Sequence, residues 1–219
     1  IIACKEPTER LATALFREGI NCEVLRQEHR REFQSYSRSY LALLNHRRAW
    51  AKASKQTGLT LIVEADFVPV KGVGQLPLPF DPARDNVGIS WLYTCAPQIY
   101  SVSATGHAEG FSTAMVAYLI TPQAAQSLLS LAEHIRQTSG PTCYTTWDSG
   151  IDSWLRQRNL QNFVPFRNYG EHGGRPNPEH GQNGLSRVHR ADVLAGSLAF
   201  VPPYAMAENQ VESGECIEE

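Results

Sequence analysis

The order of hydrophobic patterns in the first 70 residues most constrains the fold. Short apolar runs typical of buried strands alternate with segments whose apolar residues recur at helical spacing. The strand-like runs are 1–4, 22–25 and 61–69, and the helical segments are 8–18 and 39–55. Gly19 and Gly58 follow the two helical segments, where glycine favours helix termination. This alternation of strand and helix is typical of an α/β layer with parallel strands.

The patterns beyond residue 86 extend this architecture. Thr121 and Pro122 are suited to cap and begin a helix that ends at Gly140, and a second helix is predicted over 145–160. Further strands are predicted at 89–95, 114–120 and 163–166, and surface loops at 69–86 and 97–112. We therefore expect one α/β domain over residues 1–219, a Rossmann-like mixed and mostly parallel sheet flanked by helices, with a loop-rich segment from about residue 168.

Composition limits the function classes. The chain has 219 residues, 42% of them hydrophobic, which is enough for one substantial core. Twenty Lys and Arg against 22 Asp and Glu give a net charge of -2, so no general attraction to nucleic acid is expected. The five cysteines form no CxxC pair, which favours a reducing, cytoplasmic setting. No apolar run approaches the roughly 18 residues of a membrane span, while peripheral membrane association stays compatible with the sequence.

Two carboxylates stand at the end of the strand-like run LIVEADFVP. Alternate residues of an extended chain point to the same side, so Glu64 and Asp66 are predicted to face one cation together. Carboxylate oxygens suit Mg²⁺ or Mn²⁺, which leave coordination positions open for a substrate diphosphate. In the alternative, Glu64 caps a helix or pairs with an arginine, and Asp66 begins a turn.

The order of several motifs resembles that of the family 25 glycosyltransferases, which include lipopolysaccharide and collagen galactosyltransferases. The motifs are NHRRAWAKASKQTGLTLIVEADFVP, then STAMVAYLITPQAAQSLL, then TTWDSGIDSWL, and the resemblance covers roughly residues 37–160. Family members carry three consecutive acids at the strand end. Here Glu64 and Asp66 match the outer two, and Ala65 replaces the middle one.

This resemblance implies an A-type glycosyltransferase fold and an inverting, metal-dependent hexosyltransferase. The donor would be a nucleoside diphosphate sugar, by default UDP-galactose or UDP-glucose, and the acceptor a glycan or other hydroxyl compound, as in lipopolysaccharide biosynthesis. The cofactor would be Mn²⁺ or Mg²⁺ on Glu64 and Asp66. The stretch 97–112 would close over the donor.

The resemblance also implies a catalytic base and nucleotide contacts. The family's later aspartate falls on Asp148, with Asp152 one helical turn further as the alternative, and one of them would accept the acceptor's proton. Asp148 fits a simple helix cap equally well. Lys5 and Arg10 correspond to the family's Arg-rich nucleotide segment, although solvated surface charge explains both as well. His46, on an apolar helix face, is expected to be a core histidine.

The loop-rich segment adds candidate metal ligands at His172, His180 and His189. His172 is the preferred third ligand, because EHGG gives the backbone beside it the freedom to approach a diphosphate. Incidental histidines on a surface loop are the alternative. Two other functions remain open: a catalytically lapsed binder of nucleotide, sugar or a protein partner, suggested by Ala65, and a metal-dependent hydrolase.

Overall fold

The computed structural model describes residues 1–174, 182 and 189–205, and fourteen strands and helices organise them. The strands are β1 (Ile2–Ala3), β2 (Leu25–Arg26), β3 (Thr60–Val63), β4 (Phe67–Pro69), β5 (Val87–Trp91), β6 (Gln98–Val102), β7 (Ala108–Phe111), β8 (Ala117–Ile120), β9 (Gln161–Val164) and β10 (Gly170–His172). The helices are α1 (Glu9–Arg17), α2 (Arg38–Ala53), α3 (Pro122–Thr138) and α4 (Ile151–Arg156).

The main sheet is six-stranded and mixed, in the order β3-β8-β5-β9-β7-β6. This confirms the predicted α/β class with a mixed sheet flanked by helices, whereas the expectation that the sheet is mostly parallel is wrong. Its neighbours are parallel at β5–β9 and antiparallel at the other four pairs, because β8 and β7 run against the remaining strands. The carboxyl ends of β3, β5, β9 and β6 therefore share one sheet edge.

Two smaller pairings flank this edge. Strand β1 is parallel to β2, and a parallel bridge joins Ile2 to Glu64 just beyond β3. Strand β4 is antiparallel to β10, with His172 opposite Phe67. The second pairing carries the late part of the chain back to the end of β3.

Side-chain caps explain where the two long helices, α2 and α3, begin. The Thr121 hydroxyl accepts a hydrogen bond from the Ala124 amide at 3.2 Å, as its position before Pro122 predicted. The Ser37 hydroxyl does the same for Tyr40 at 3.0 Å at the start of α2. Helices α2 and α3 pack together over one face of the sheet.

Each face of the sheet has its own hydrophobic cluster. On the α2 and α3 side, the fully buried residues include Trp50, Trp91, Tyr118, Leu128 and Ile151. On the α1 side they include Leu11, Leu15, Phe67, Val70 and Tyr93. No helix in the described part of the chain is both long and apolar enough to cross a bilayer.

The stretch 97–112 is not the predicted loop. It forms the hairpin of β6 and β7, which turns at Gly106, in the left-handed region with φ +81°. Since β7 pairs with β9, this hairpin is part of the sheet, and its closure over the donor stays a prediction. The short alternating run AEGF was too brief to distinguish from a loop.

Two other boundaries differ from the sequence prediction. The run 61–69 is not one strand, because β3 ends at Val63 and the chain turns through Ala65 and Asp66 before β4. The predicted helix over 145–160 begins instead as a 3-10 turn over Trp147–Gly150, followed by the short α4. Asp148 therefore lies within the 3-10 turn and is not the cap of α4.

Candidate active site

Backbone hydrogen bonds hold the turn between β3 and β4 at the shared sheet edge. The Glu64 amide donates to the Val116 carbonyl at 2.8 Å, and the Phe67 amide donates to the Glu64 carbonyl at 3.0 Å. The Gly173 amide donates to the Asp66 carbonyl at 2.8 Å. The turn is thus fixed both to the approach to β8 and to the segment that follows β10.

The Glu64 and Asp66 carboxylates contact different side chains. The prediction that Glu64 and Asp66 face one cation rested on an extended backbone, and the turn removes that premise. Glu64 Oε1 instead accepts from His46 Nε2 at 3.1 Å. Asp66 Oδ2 lies 3.2 Å from His172 Nε2.

The contact between Asp66 and His172 joins residues 106 positions apart in the chain. The pairing of β4 with β10 creates it, since that pairing sets His172 opposite Phe67, the residue after Asp66. Asp66 Oδ1 and His172 Nδ1 are buried and have no hydrogen-bond partner among the described residues. Buried polar atoms of this kind call for a partner such as water or an ion.

A divalent cation fits this pair in chemistry and in spacing. Carboxylate oxygen and neutral imidazole are both good ligands for Mn²⁺. Adjacent ligands of an octahedral ion with bonds of about 2.1 Å lie about 3 Å apart, close to the 3.2 Å between Asp66 Oδ2 and His172 Nε2. Over the described ranges, no three His, Cys, Asp or Glu side chains form a ready metal cluster. The remaining coordination positions would therefore fall to substrate and water.

Glycines let the backbone lie directly against this pair. A Cβ on Gly174 would collide with the Asp66 carboxylate and lie 2.6 Å from His172 Nε2. A Cβ on Gly173 would lie 2.7 Å from Pro203. Only glycine at position 174 lets the backbone lie beside both side chains, and the approach of a diphosphate to this segment stays a prediction.

Opposing effects set the charge state of His172. Burial is the largest single effect and disfavours the imidazolium, but the hydrogen bond and charge of Asp66, with the charge of Glu64, outweigh it. The pKa of His172 is therefore raised above its ordinary value. Tyr93, whose ring centre is 6.0 Å from that of His172, has its pKa raised by burial.

The raised pKa predicts how pH affects the stability of the metal-free protein. A group whose pKa is higher in the folded state stabilises the fold below its unfolded pKa, about 6.5 for histidine, and loses this effect as pH rises through the folded value. In EDTA, wild type should therefore exceed His172→Gln in Tm by most at about pH 5.5 to 6, and the difference should shrink at alkaline pH.

The matched control for this pH series is the exposed His134, stacked on Trp154. The variant His134→Gln measures the effect of removing an imidazole from α3 instead of from the contact with Asp66. A pH-independent difference between wild type and His172→Gln would contradict the raised pKa.

The two candidate bases occupy different environments. Asp148 is half-buried, its Oδ1 accepts from the Ser149 amide at 3.0 Å, and its charge reaches Cys95 beyond the end of β5. The pKa of Cys95 is raised, first by burial and then by the charges of Asp192 and Asp148. Asp148 is thus within electrostatic range of the Cys95 thiol.

Asp152 is buried and fully engaged. Its Oδ2 accepts from the Tyr100 hydroxyl and its Oδ1 from the Asn162 amide, each at 2.8 Å. These bonds join α4 to β6 and β9. Because both oxygens already have partners, Asp152 is poorly placed to receive a proton.

The basic candidates near the start of the chain are both exposed. Lys5 lies two residues beyond β1, and the bridge between Ile2 and Glu64 brings that strand end alongside β3. Arg10 lies in the first turn of α1. Their contact with a nucleotide stays a prediction.

Glu171 and Arg190 hold the backbone at His172 in place, and the sequence did not identify them. Glu171 is buried, and its Oε1 accepts from the His172 amide at 2.8 Å and the Ala191 amide at 3.0 Å. Arg190 Nη1 donates to the His172 carbonyl at 3.2 Å. The sequence shows the dipeptide Glu171-His172, but its pattern does not indicate that Glu171 is structural while His172 is the candidate ligand.

The other two late histidines have different outcomes. His189 Nδ1 lies 3.4 Å from Cys95 Sγ, so His189 is near the shared sheet edge without joining the contact of Asp66 and His172. His180 lies outside the described residues. His46 is fully buried with both ring nitrogens hydrogen-bonded, as expected of a core histidine.

A pocket of about 630 Å³ opens beside β1 and β3. Apolar side chains such as Leu15, Leu61 and Leu119 line it, and Lys52 and Glu23 stand among its polar residues. Asp66, His172 and Asp148 are not among its lining residues. The candidate site is therefore separate from this pocket. It lies at the sheet edge where the carboxyl ends of β3, β5, β9 and β6 meet.

Comparison with known proteins finds similarity among solved structures but not among protein families or curated proteins. No family model and no curated protein matches the chain. A crystal structure of a glycosyltransferase involved in the glycosylation of the major capsid of PBCV-1 is similar over 74% of this chain and 78% of its own, with 11% identity and a TM-score of 0.49. The family 25 resemblance therefore stays a prediction from the sequence.

Proposed function

We propose that this protein is a metal-dependent glycosyltransferase that moves a sugar from a nucleoside diphosphate donor to a hydroxyl acceptor. The contact between Asp66 Oδ2 and His172 Nε2 carries the proposal. The sequence pattern names these two residues as ligands of one cation, and they meet at the carboxyl ends of strands, where α/β sheets bind ligands.

Asp66 and His172 would hold Mn²⁺ or Mg²⁺, with Glu64 close enough to add its negative charge. When bound, the ion would neutralise the charge that develops on the diphosphate leaving group. Gly173 and Gly174 let the backbone lie directly against this pair, and Lys5 and Arg10 are the candidate contacts to the phosphates of the donor. UDP-galactose or UDP-glucose is the default donor, and a glycan, as in lipopolysaccharide biosynthesis, the default acceptor.

Asp148 would act as the general base of a single inverting displacement. The acceptor oxygen forms a bond to the anomeric carbon while its proton passes to the Asp148 carboxylate. The bond from that carbon to the diphosphate oxygen breaks, and its electron pair leaves with the diphosphate. Asp148 is preferred over Asp152 because both oxygens of Asp152 are already hydrogen-bonded.

A thermal-shift panel of UDP, other nucleotides and UDP-sugars, each with and without Mn²⁺, tests this proposal. A ligand at 100 times its Kd adds about 2.7 kcal/mol to the free energy of unfolding. We expect UDP or a UDP-sugar to raise Tm only when Mn²⁺ is present. If no nucleotide raises Tm under either condition, the proposed function fails.

Ala65 favours a second candidate, a lapsed transferase that binds the nucleotide without turnover. Family 25 enzymes carry an acid at the middle position of the triplet, and this chain does not. Such a protein would show the same metal-dependent rise in Tm with UDP. Release of UDP from the donor in the presence of acceptor would separate the two, because only the active enzyme produces it.

A further inference from the structure

A chain of buried polar side chains leads from the core to Glu64. Trp50 Nε1 donates to the Tyr118 oxygen at 2.9 Å, Tyr118 lies 2.8 Å from His46 Nδ1, and His46 Nε2 lies 3.1 Å from Glu64 Oε1. Trp50, Tyr118 and His46 are fully buried, whereas the Glu64 side chain is 31% exposed. The chain therefore opens to solvent at its Glu64 end.

The chemistry of these groups gives the chain one direction. An indole N–H can only donate, so the Tyr118 oxygen accepts from Trp50 and has its own hydrogen left to donate. That hydrogen goes to His46 Nδ1, which must then lack a proton. Neutral His46 consequently carries its hydrogen on Nε2 and donates it to Glu64.

Ordinary core packing does not account for this arrangement. Buried polar groups are costly unless each is paired, and apolar side chains of similar size would fill the same space without that requirement. Three separate elements, α2, β8 and the end of β3, supply the members. They meet at a carboxylate whose charge reaches His172.

We propose that Trp50 and Tyr118 fix the tautomer of His46 so that His46 holds the Glu64 carboxylate in place as a positioning residue. Oε1 is engaged by His46, so the negative charge of Glu64, which acts on His172, is held at a fixed position beside the cation site of Asp66 and His172. The cation half of this inference rests on the proposed function, whereas the fixed tautomer does not. This hydrogen-bonded series also explains why the HRRAW, VEAD and AYLI segments occur together, since each segment supplies at least one of its members.

The tautomer is tested directly by NMR of protein labelled with ¹⁵N-histidine. Long-range proton–nitrogen correlations distinguish the two neutral tautomers, and the spectrum of His46→Gln assigns the His46 signals among the seven histidines. Wild type should show a single Nε2–H form, and Tyr118→Phe should lose this uniformity. A neutral Nδ1–H form or a doubly protonated ring in wild type would overturn the proposal.

Mn²⁺ affinity tests the positioning of Glu64. The His46→Gln amide can still donate to Glu64, whereas His46→Leu cannot, so we expect His46→Gln to bind nearly as tightly as wild type. His46→Leu should bind roughly tenfold more weakly, the lower end of the effect of losing a group that supports a metal site, because the charge of Glu64 is then no longer held in place. Tyr169→Phe, which removes a hydroxyl bonded to the Pro77 carbonyl instead, is the matched control and should bind like wild type.

The two experiments separate the inference from the proposed function. Equal Mn²⁺ affinity in His46→Leu and wild type would overturn the positioning role while leaving the transferase proposal intact. If wild type binds no Mn²⁺, the proposed function fails, and the tautomer in wild type and Tyr118→Phe still supports or overturns the fixed orientation of His46.

Discussion

Asp66→Asn should abolish the Mn²⁺-dependent stabilisation by UDP. The side chain keeps its size but loses the negative charge that would hold the cation, and its amide nitrogen cannot serve as a ligand. We expect nucleotide affinity in Mn²⁺ to fall by more than about 100-fold, beyond the 10- to 100-fold typical of changes to the partners of metal ligands. At a ligand concentration 100 times the wild-type Kd, nearly all of the expected gain of about 2.7 kcal/mol would disappear.

Asp85→Asn is the matched control for this measurement. Asp85 is an exposed carboxylate in the excursion between β4 and β5, so its loss changes the net charge equally at a distance from His172. Its Tm in UDP and Mn²⁺ should follow that of wild type. An Asp66→Asn protein that UDP and Mn²⁺ still stabilise fully would remove the basis for a cation at this site.

The sequence predicted most of the fold because periodicity and capping are local. The Thr121 and Pro122 signal set the start of α3 correctly, and Gly19 follows the end of α1 as predicted, whereas α2 ends at Ala53, before the predicted end and without a glycine cap. The β6–β7 hairpin was missed because its two strands become stable only by pairing with β9, a contact far away in the sequence. Strand directions within the sheet likewise depend on the tertiary path of the chain.

The candidate site was predictable in residue type and only partly in geometry. Asp66 and His172 were named because their side chains suit a cation, yet their contact depends on the pairing of β4 with β10, in a segment without clear periodicity. The orientation of Glu64 was predicted wrongly, because a turn replaces the extended backbone assumed for residues 64–66. The buried network around His46 had no local signal, since its members come from three elements.

Asp148→Asn should lower kcat by roughly 100- to 10,000-fold, the usual contribution of a general base, while donor binding stays intact. An asparagine cannot accept the proton of the acceptor hydroxyl at neutral pH, but it can still accept the hydrogen bond from the Ser149 amide. The Tm of the variant, with and without UDP and Mn²⁺, should therefore match wild type. Initial rates of UDP release at saturating donor and acceptor give kcat.

The opposite outcome, a loss of stability with little change in kcat, is expected for Asp152→Asn, which serves as the matched comparison. Its carboxylate accepts from Tyr100 and Asn162, so an amide at this position turns two charge-assisted bonds into neutral ones and makes Tyr100 the acceptor, which should cost roughly 1 to 2 kcal/mol of folding stability. The kcat of the folded fraction should change little. If Asp152→Asn instead removes turnover at unchanged Tm while Asp148→Asn remains active, Asp152 is the base, and its bonds to Tyr100 and Asn162 must open when the acceptor binds.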